Sequence, residues 1–400
     1  MPYVSYVTER EGPRLLAVHP SGRFIFVANW ESNDISAYTI NPTTGAVTPV
    51  PGAPFAAGRH PRAVTVDPTG KFVYAANWDS NTVSAYTIDP TTGALAPVSG
   101  SPFATEKHPR TVRMDPTGRF AYVSNRESNS ISAYTVNPTT GALTPVALLA
   151  VGTETRPRSM MVDPSGRFAY TAHQNSDRVT GYAINPITGA LIPVPGSPFP
   201  AGRDPRFVTI DPTGRFAYVP NQESNDIWAY TINPTTGTLT PMPGSPFAAG
   251  TRPFQAFVDQ TGRFAYVANQ KSNSISAYTI NPATGALTPV PGSPFTAGTY
   301  PIWPTVDPSG RFLYVNNRES NDVSAYTIHP RTGSLSPVKG SPFPAGTHPR
   351  ELIVDPTGRF AYLANEQSDN VSAYVINPAT GALTPVAGSP FPAGRIQGCA

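Results

Sequence analysis

"PRAVTVDPTGKFVYAANWDSNTVSAYTIDPTTGALAPVSGSPFATEKH", residues 61–108, decides the fold, because the chain writes this passage eight times with small changes. Four segments can be read within it. "PRAVTV" is a short strand ended by the turn "DPTG", and "KFVYAAN" is a second strand ended by a polar loop. "TVSAYTI" is a third strand closed by "DPTTG", and "ALAPVSGSPFATEKH" is an extended fourth segment. Runs of Val, Ile, Phe and Tyr bounded by Gly, Pro, Asn and Asp are the marks of antiparallel strands. Helices have no room, since no 11-residue window keeps a 3.6-residue period free of Pro or Gly.

The step between copies is constant. A glycine falls at Gly22, Gly70, Gly118, Gly166, Gly214, Gly262, Gly310 and Gly358, always 48 residues on, so eight copies account for 384 of the 400 residues. Four-stranded units of this length repeated radially define a β-propeller. The expected fold is all-β: a single domain over 1–400, an eight-bladed propeller with four antiparallel strands per blade and a 48-residue repeat. Pro54, Pro102, Pro198, Pro246, Pro294, Pro342 and Pro390 sit inside the fourth strand. Proline donates no ladder hydrogen bond, so this strand is the outer edge. Recurring Phe on strand two (Phe24 to Phe360) and Tyr on strand three (Tyr38 to Tyr374) are expected between blades as core. Residues 1–12 are expected to carry an extra strand near the ring closure, with 2–8 adding to or displacing the outer strand where blades one and eight meet. Residues 393–400 are expected to be a tail.

Composition narrows the function. The net charge is only +3 and the 28 Lys and Arg are dispersed, which argues against nucleic acid. No apolar run approaches the ~20 residues of a membrane helix, so no membrane partner is expected. One cysteine, Cys399, excludes an internal disulfide framework and a cysteine metal site. His60, His108 and His348 come from three different blades, so no metal and no cofactor are expected. The Met1 region shows no secretion signal, so a cytoplasmic location is the default expectation unless a leader precedes it; a monomer is expected as well.

"GRFAYVANQKSNSISAYTINPATGALTPV" (262–290) resembles the YVTN-type repeat and the lactonase-type β-propellers, which include bacterial 6-phosphogluconolactonases and fungal muconate-lactonizing enzymes. The resemblance covers the whole chain. It implies a propeller and, for activity, lactone hydrolysis. Lactonase-type propellers commonly place a His after a Pro-Arg pair and a Glu after the strand-two Asn, for acid and base work beside an Arg. Here no repeat has that His, and Asn365-Glu366 alone matches the Glu motif.

The loops before the inner strand and after strand two share one face, so the residue after each interblade Pro is expected near the mouth of the axial channel. These residues are Arg14, Arg62, Arg110, Arg158, Arg206, Phe254, Ile302 and Arg350. The arginines either hold an anionic ligand, pair with the acidic loop positions Glu31, Asp79, Glu127, Glu223 and Glu319, or tie down loop carbonyls. Function in a ring of near-copies belongs where the copies differ. Blades six to eight bring Phe254, Gln255, Tyr300, Trp303, His348, Arg350, Glu351 and Glu366 together as an aromatic floor with polar groups. "YPIWP" (300–304) is expected to narrow the channel, Trp303 forming one wall of a pocket. The reading favoured by sequence is a rigid binding or scaffold disc for a small anionic molecule or a protein partner on the loop face. The alternative is a lactonase-like hydrolase, with Glu351 and Glu366 as acid and base and Arg350 as their electrostatic partner.

Overall fold

The computed structural model describes residues 12–150 and 155–394, with the backbone alone for 147–150. Eight antiparallel sheets follow one another along the chain, one per repeat, and form an eight-bladed β-propeller. In the second blade the inner strand is Pro61–Val66, the second Phe72–Asn77 and the third Thr82–Ile88. The expected extra strand at 2–8 lies outside the described residues, as does the expected tail 393–400 apart from its first two residues; of these Ala393 is buried in the core between the eighth and first blades, and Gly394 N donates to Ser36 Oγ at 3.0 Å.

The turns hold because their side chains saturate the backbone. Asp67 Oδ1 accepts from the amides of Lys71 and Phe72, both at 2.7 Å, and its Oδ2 accepts from Thr69. At the second turn Asp89 Oδ1 accepts from Thr91 N and Thr92 N at 2.9 and 2.8 Å. Gly93 closes that turn at φ +77, and a Cβ there would stand 2.4 Å from Phe24 Cδ1 of the preceding blade. Two independent constraints thus require glycine.

The outer strand differs from expectation in its continuity. In seven blades it is broken into two pieces, such as Leu95–Pro97 and Phe103–Ala104, both paired to the third strand. Gly100 at φ +85 turns the chain in the gap, and Pro102 supplies no amide for the ladder. Ser101 Oγ takes over by accepting from Ala85 N at 2.9 Å. The third blade lacks this element, and its outer strand runs unbroken over Leu143–Ala150.

Cores lie between blades. Phe24, Phe26, Ile35 and Val50 of the first blade pack on Val64, Val73, Tyr86 and Ile88 of the second. Full burial of such side chains is worth roughly 1.5–3 kcal/mol each. The recurring tyrosines add a polar stitch. Tyr74 Oη donates to Gly141 O of the next blade at 2.9 Å, and Tyr86 Oη to Ala56 O of the previous one at 2.5 Å. The ring closes with the same contacts: Tyr362 Oη donates to Gly45 O at 3.0 Å and Tyr38 Oη to Pro392 O.

One irregularity positions the site. The inner strand carries a bulge directly after its first proline, for instance between Pro109 and Thr111. The skipped residue is Arg110, and bulges re-aim the side chain they release. In the seventh blade the bulge moves one place on, between Ile302 and Pro304, and releases Trp303 at φ +44. A bulky residue rarely adopts that conformation. The fifth blade loses most of its inner strand, which is reduced to Thr209–Ile210. Pro220 faces it from strand two, where a missing amide breaks the ladder.

Candidate functional site

A cavity of about 510 Å³ runs along the axis from the level of the bulged arginines to the turns at Asp67 and Asp115. It is eccentric. Blades one to four and eight line it over much of their inner strands, whereas blades five to seven contribute only Phe207, Phe254 and Trp303. These rings interlock, with centroids 5.2–5.3 Å apart, and with Ile302 they form a cluster of their own.

Arg14, Arg62, Arg110, Arg158 and Arg350 all line the cavity. Arg110 is buried, and its guanidinium makes no side-chain hydrogen bond or ion pair among the described residues. Burial, then the guanidiniums of Arg62, Arg158, Arg126 and Arg350, push it well below its ordinary value. Arginine does not release its proton in proteins, so the shift marks a guanidinium that is first desolvated and then repelled by its neighbours, an environment a bound anion would offset. Arg14 has another task. It is fully buried, lies 4.6 Å over the Trp30 ring and is ion-paired to Glu366. Arg206 is diverted: it pairs with Asp204 at 2.7 Å and does not line the cavity.

Two of the acidic loop positions, Asp79 and Glu127, take histidines as partners. His60 Nδ1 lies 2.6 Å from Asp79 and His108 Nδ1 lies 2.9 Å from Glu127. Each imidazole also stacks on an indole, His60 on Trp30 and His108 on Trp78.

The two carboxylates expected to act together have different surroundings. Glu366 is 1% exposed; besides Arg14 it meets Arg318 at 3.1 Å and Arg350 at 3.2 Å. It ties the first, seventh and eighth blades together and does not line the cavity. Glu351 does line it, half-buried, and accepts a bond from Leu16 N at 3.3 Å. Burial pushes the Glu351 carboxyl up to about 7, against the opposing pull of Arg113, the Leu16 amide and Arg350. Arg113 itself is drawn down by burial and held up by Glu351.

Sequence reasoning missed Arg113. It lines the cavity three residues beyond Arg110 along the same strand. The signal was present: the equivalent positions read Ala17, Thr65, Arg113, Met161, Thr209, Phe257, Thr305 and Ile353, with a single charge among eight. Gln255, Tyr300 and His348 are half-buried near the mouth but do not line the cavity. Tyr300 packs behind the aromatic cluster, and His348 O accepts from Glu366 N at 3.0 Å.

The fold is thus an eight-bladed propeller whose axial cavity is lined by five arginines of the inner-strand bulges. The chain belongs to the family described as lactonase, 7-bladed beta-propeller, whose model matches residues 4–57, 16–109, 96–198, 197–249, 248–301 and 305–395. This member carries one blade more than that description. Among solved structures it is similar to a candidate 6-phosphogluconolactonase from Bacteroides fragilis, at 22% identity and TM-score 0.64, covering 85% of this chain and 97% of that one. It is also similar to the periplasmic gluconolactonase PpgL of Pseudomonas aeruginosa, at 19% identity and TM-score 0.62, covering 86% and 99%. Sqt1 from Chaetomium thermophilum aligns with TM-score 0.68 at 12% identity, over 89% and 94%. At these identities the likenesses show the fold alone. No curated protein matches the chain at a significant level. The family stands closer to the hydrolase alternative than to the binding disc.

Proposed function

We propose that the chain hydrolyses an anionic lactone in the axial cavity. The observation that carries the reading is Glu351, a carboxyl raised to about 7 that lines the cavity with Arg113 and Arg350 as its charged neighbours. A general base works best with a pKa near the operating pH. Glu351 follows the Pro349-Arg350 pair, the place where lactonase-type propellers commonly carry histidine, and burial gives the glutamate a histidine-like pKa there.

The chemistry follows from these groups. Arg110, with Arg62 and Arg158, holds the substrate's anionic substituent. Glu351 takes a proton from water as the water oxygen bonds to the lactone carbonyl carbon, and Arg113 or Arg350 steadies the oxyanion. When the ring C–O bond breaks, Glu351 returns the proton to the departing alkoxide and leaves a hydroxy acid. Glu366 acts at one remove, because its three ion pairs fix Arg350.

The test is hydrolysis of a lactone panel, aldonolactones with and without an acidic substituent together with a carboxylated aryl lactone, followed by pH-stat above the spontaneous rate. Turnover that falls at least ~100-fold in Glu351→Gln supports the reading, since one general base commonly contributes 10²–10⁴-fold. No lactone turned over, or full activity in Glu351→Gln, contradicts it.

A further inference from the structure

The cavity has two unlike halves at one level of the ring. Arg62, Arg110, Arg158 and Arg350 supply positive charge from the second, third, fourth and eighth blades, while Phe207, Phe254 and Trp303 face them from the fifth, sixth and seventh. Arg158 marks the border, its guanidinium carbon 5.2 Å from the Phe207 ring and 5.1 Å from that of Phe254.

Each aromatic stands where most other blades place something smaller or polar. Phe254 replaces the arginine of six blades, and Trp303 aligns with Ala63, Thr111 and Ser159. Trp303 is held there at φ +44 by a displaced bulge. Backbone outliers of this kind persist only where the surroundings impose them, and they gather at ligand sites. A polyhydroxylated ligand would leave hydroxyl groups unpaired against this wall. The wall is also no flat platform for a sugar ring, because Phe207 meets Phe254 at 70° and Trp303 at 76°.

From this division we infer that the site takes an amphipathic organic anion: a carboxylate carried on an apolar, ring-containing body, with the carboxylate among the arginines and the body against Phe207, Phe254 and Trp303. The inference rests on the cavity assigned above to lactone hydrolysis and narrows its substrate class away from hydrophilic sugar acids.

Titration calorimetry on the whole chain tests it without turnover, using 2-naphthoate, gluconate and inorganic phosphate as probes. The expected result is 2-naphthoate binding at least ~10-fold tighter than gluconate. Trp303→Gly, which suits the positive φ, should lose at least ~10-fold for 2-naphthoate and change phosphate binding by less than about twofold. Phe254→Arg places at this position the residue of six other blades and should shift preference toward phosphate. Arg110→Gln should weaken all three anions. Gluconate binding as tightly as 2-naphthoate, absence of 2-naphthoate binding, or indifference of 2-naphthoate to both aromatic substitutions overturns the inference. Tight 2-naphthoate binding with no lactone turnover sinks the hydrolase reading alone, and sugar-lactone turnover without 2-naphthoate binding sinks this one alone.

Discussion

His173 gives the fold a pH dependence that one substitution should remove. It occupies the strand-two end of the fourth blade, where the other seven blades carry Asn. The imidazole is fully buried, with Nε2 2.7 Å from Thr180 Oγ1, and burial pushes it down to about 3 from an ordinary 6.5. Folded His173 is therefore neutral at pH 5 while the unfolded chain binds a proton. Stability from this group is complete above pH 6.5 and declines as pH falls toward 3. At pH 5 the difference is 1.5 pH units at 1.36 kcal/mol each, about 2 kcal/mol. His173→Asn copies the arrangement of the second blade, where Asn77 Nδ2 donates to Ser84 Oγ at 2.9 Å. It should fold normally and lose this titration. Urea unfolding of both proteins at pH 7 and pH 5 gives the double difference, in which carboxylates common to both cancel. The original protein should lose about 2 kcal/mol more than His173→Asn on going to pH 5. In melting temperature this is only about 2–3 °C for a chain of this size. Equal losses in the two proteins would refute the reasoning.

Four further outcomes are expected. Glu366→Gln should destabilise by about 3–5 kcal/mol, because it breaks the ion pairs of one buried carboxylate with Arg14, Arg318 and Arg350; a melt within a degree of the original contradicts the three-arginine tie. Glu351→Gln should do the reverse at pH 8, gaining up to about 3 kcal/mol, since a carboxyl raised from 4.5 to about 7 loses stability as pH rises through 7. Unfolding curves at pH 4 and pH 8 check the sign. Gly93→Ala should cost at least ~2 kcal/mol through positive φ and collision with Phe24, read as a lower melting temperature. Tyr74→Phe should cost only about 1 kcal/mol, the value of one interblade hydrogen bond.

The fold was legible because the period is strict: 48 residues without insertion fix blade number, and Pro and Gly fix the turns. What the pattern hid was geometry that depends on backbone pairing. The bulge after the interblade proline decides which side chain enters the channel, and no single residue type announces it. Arg206 matches its ring-mates in sequence, yet Pro220 opposite and Asp204 beside it divert it from the cavity. Glu351 and Glu366 were both legible as unusual, but only packing separates a carboxylate locked by three guanidiniums from one facing open space. Trp303 was legible as an exception to the repeat, and it does line the cavity. Arg113 bears no mark in the two columns that follow the interblade proline; it stands out only in the fourth, where its seven counterparts are uncharged.

The central claim is that Glu351 acts as a base facing Arg113. The most direct measurement is the pH profile of kcat/KM for lactone hydrolysis in the original protein and in Arg113→Gln. Activity should rise with pH through about 7 as Glu351 ionises, and loss of the neighbouring guanidinium should move that midpoint upward. A profile flat from pH 5 to 9 in the original protein, or a midpoint that Arg113→Gln leaves in place, would contradict the account.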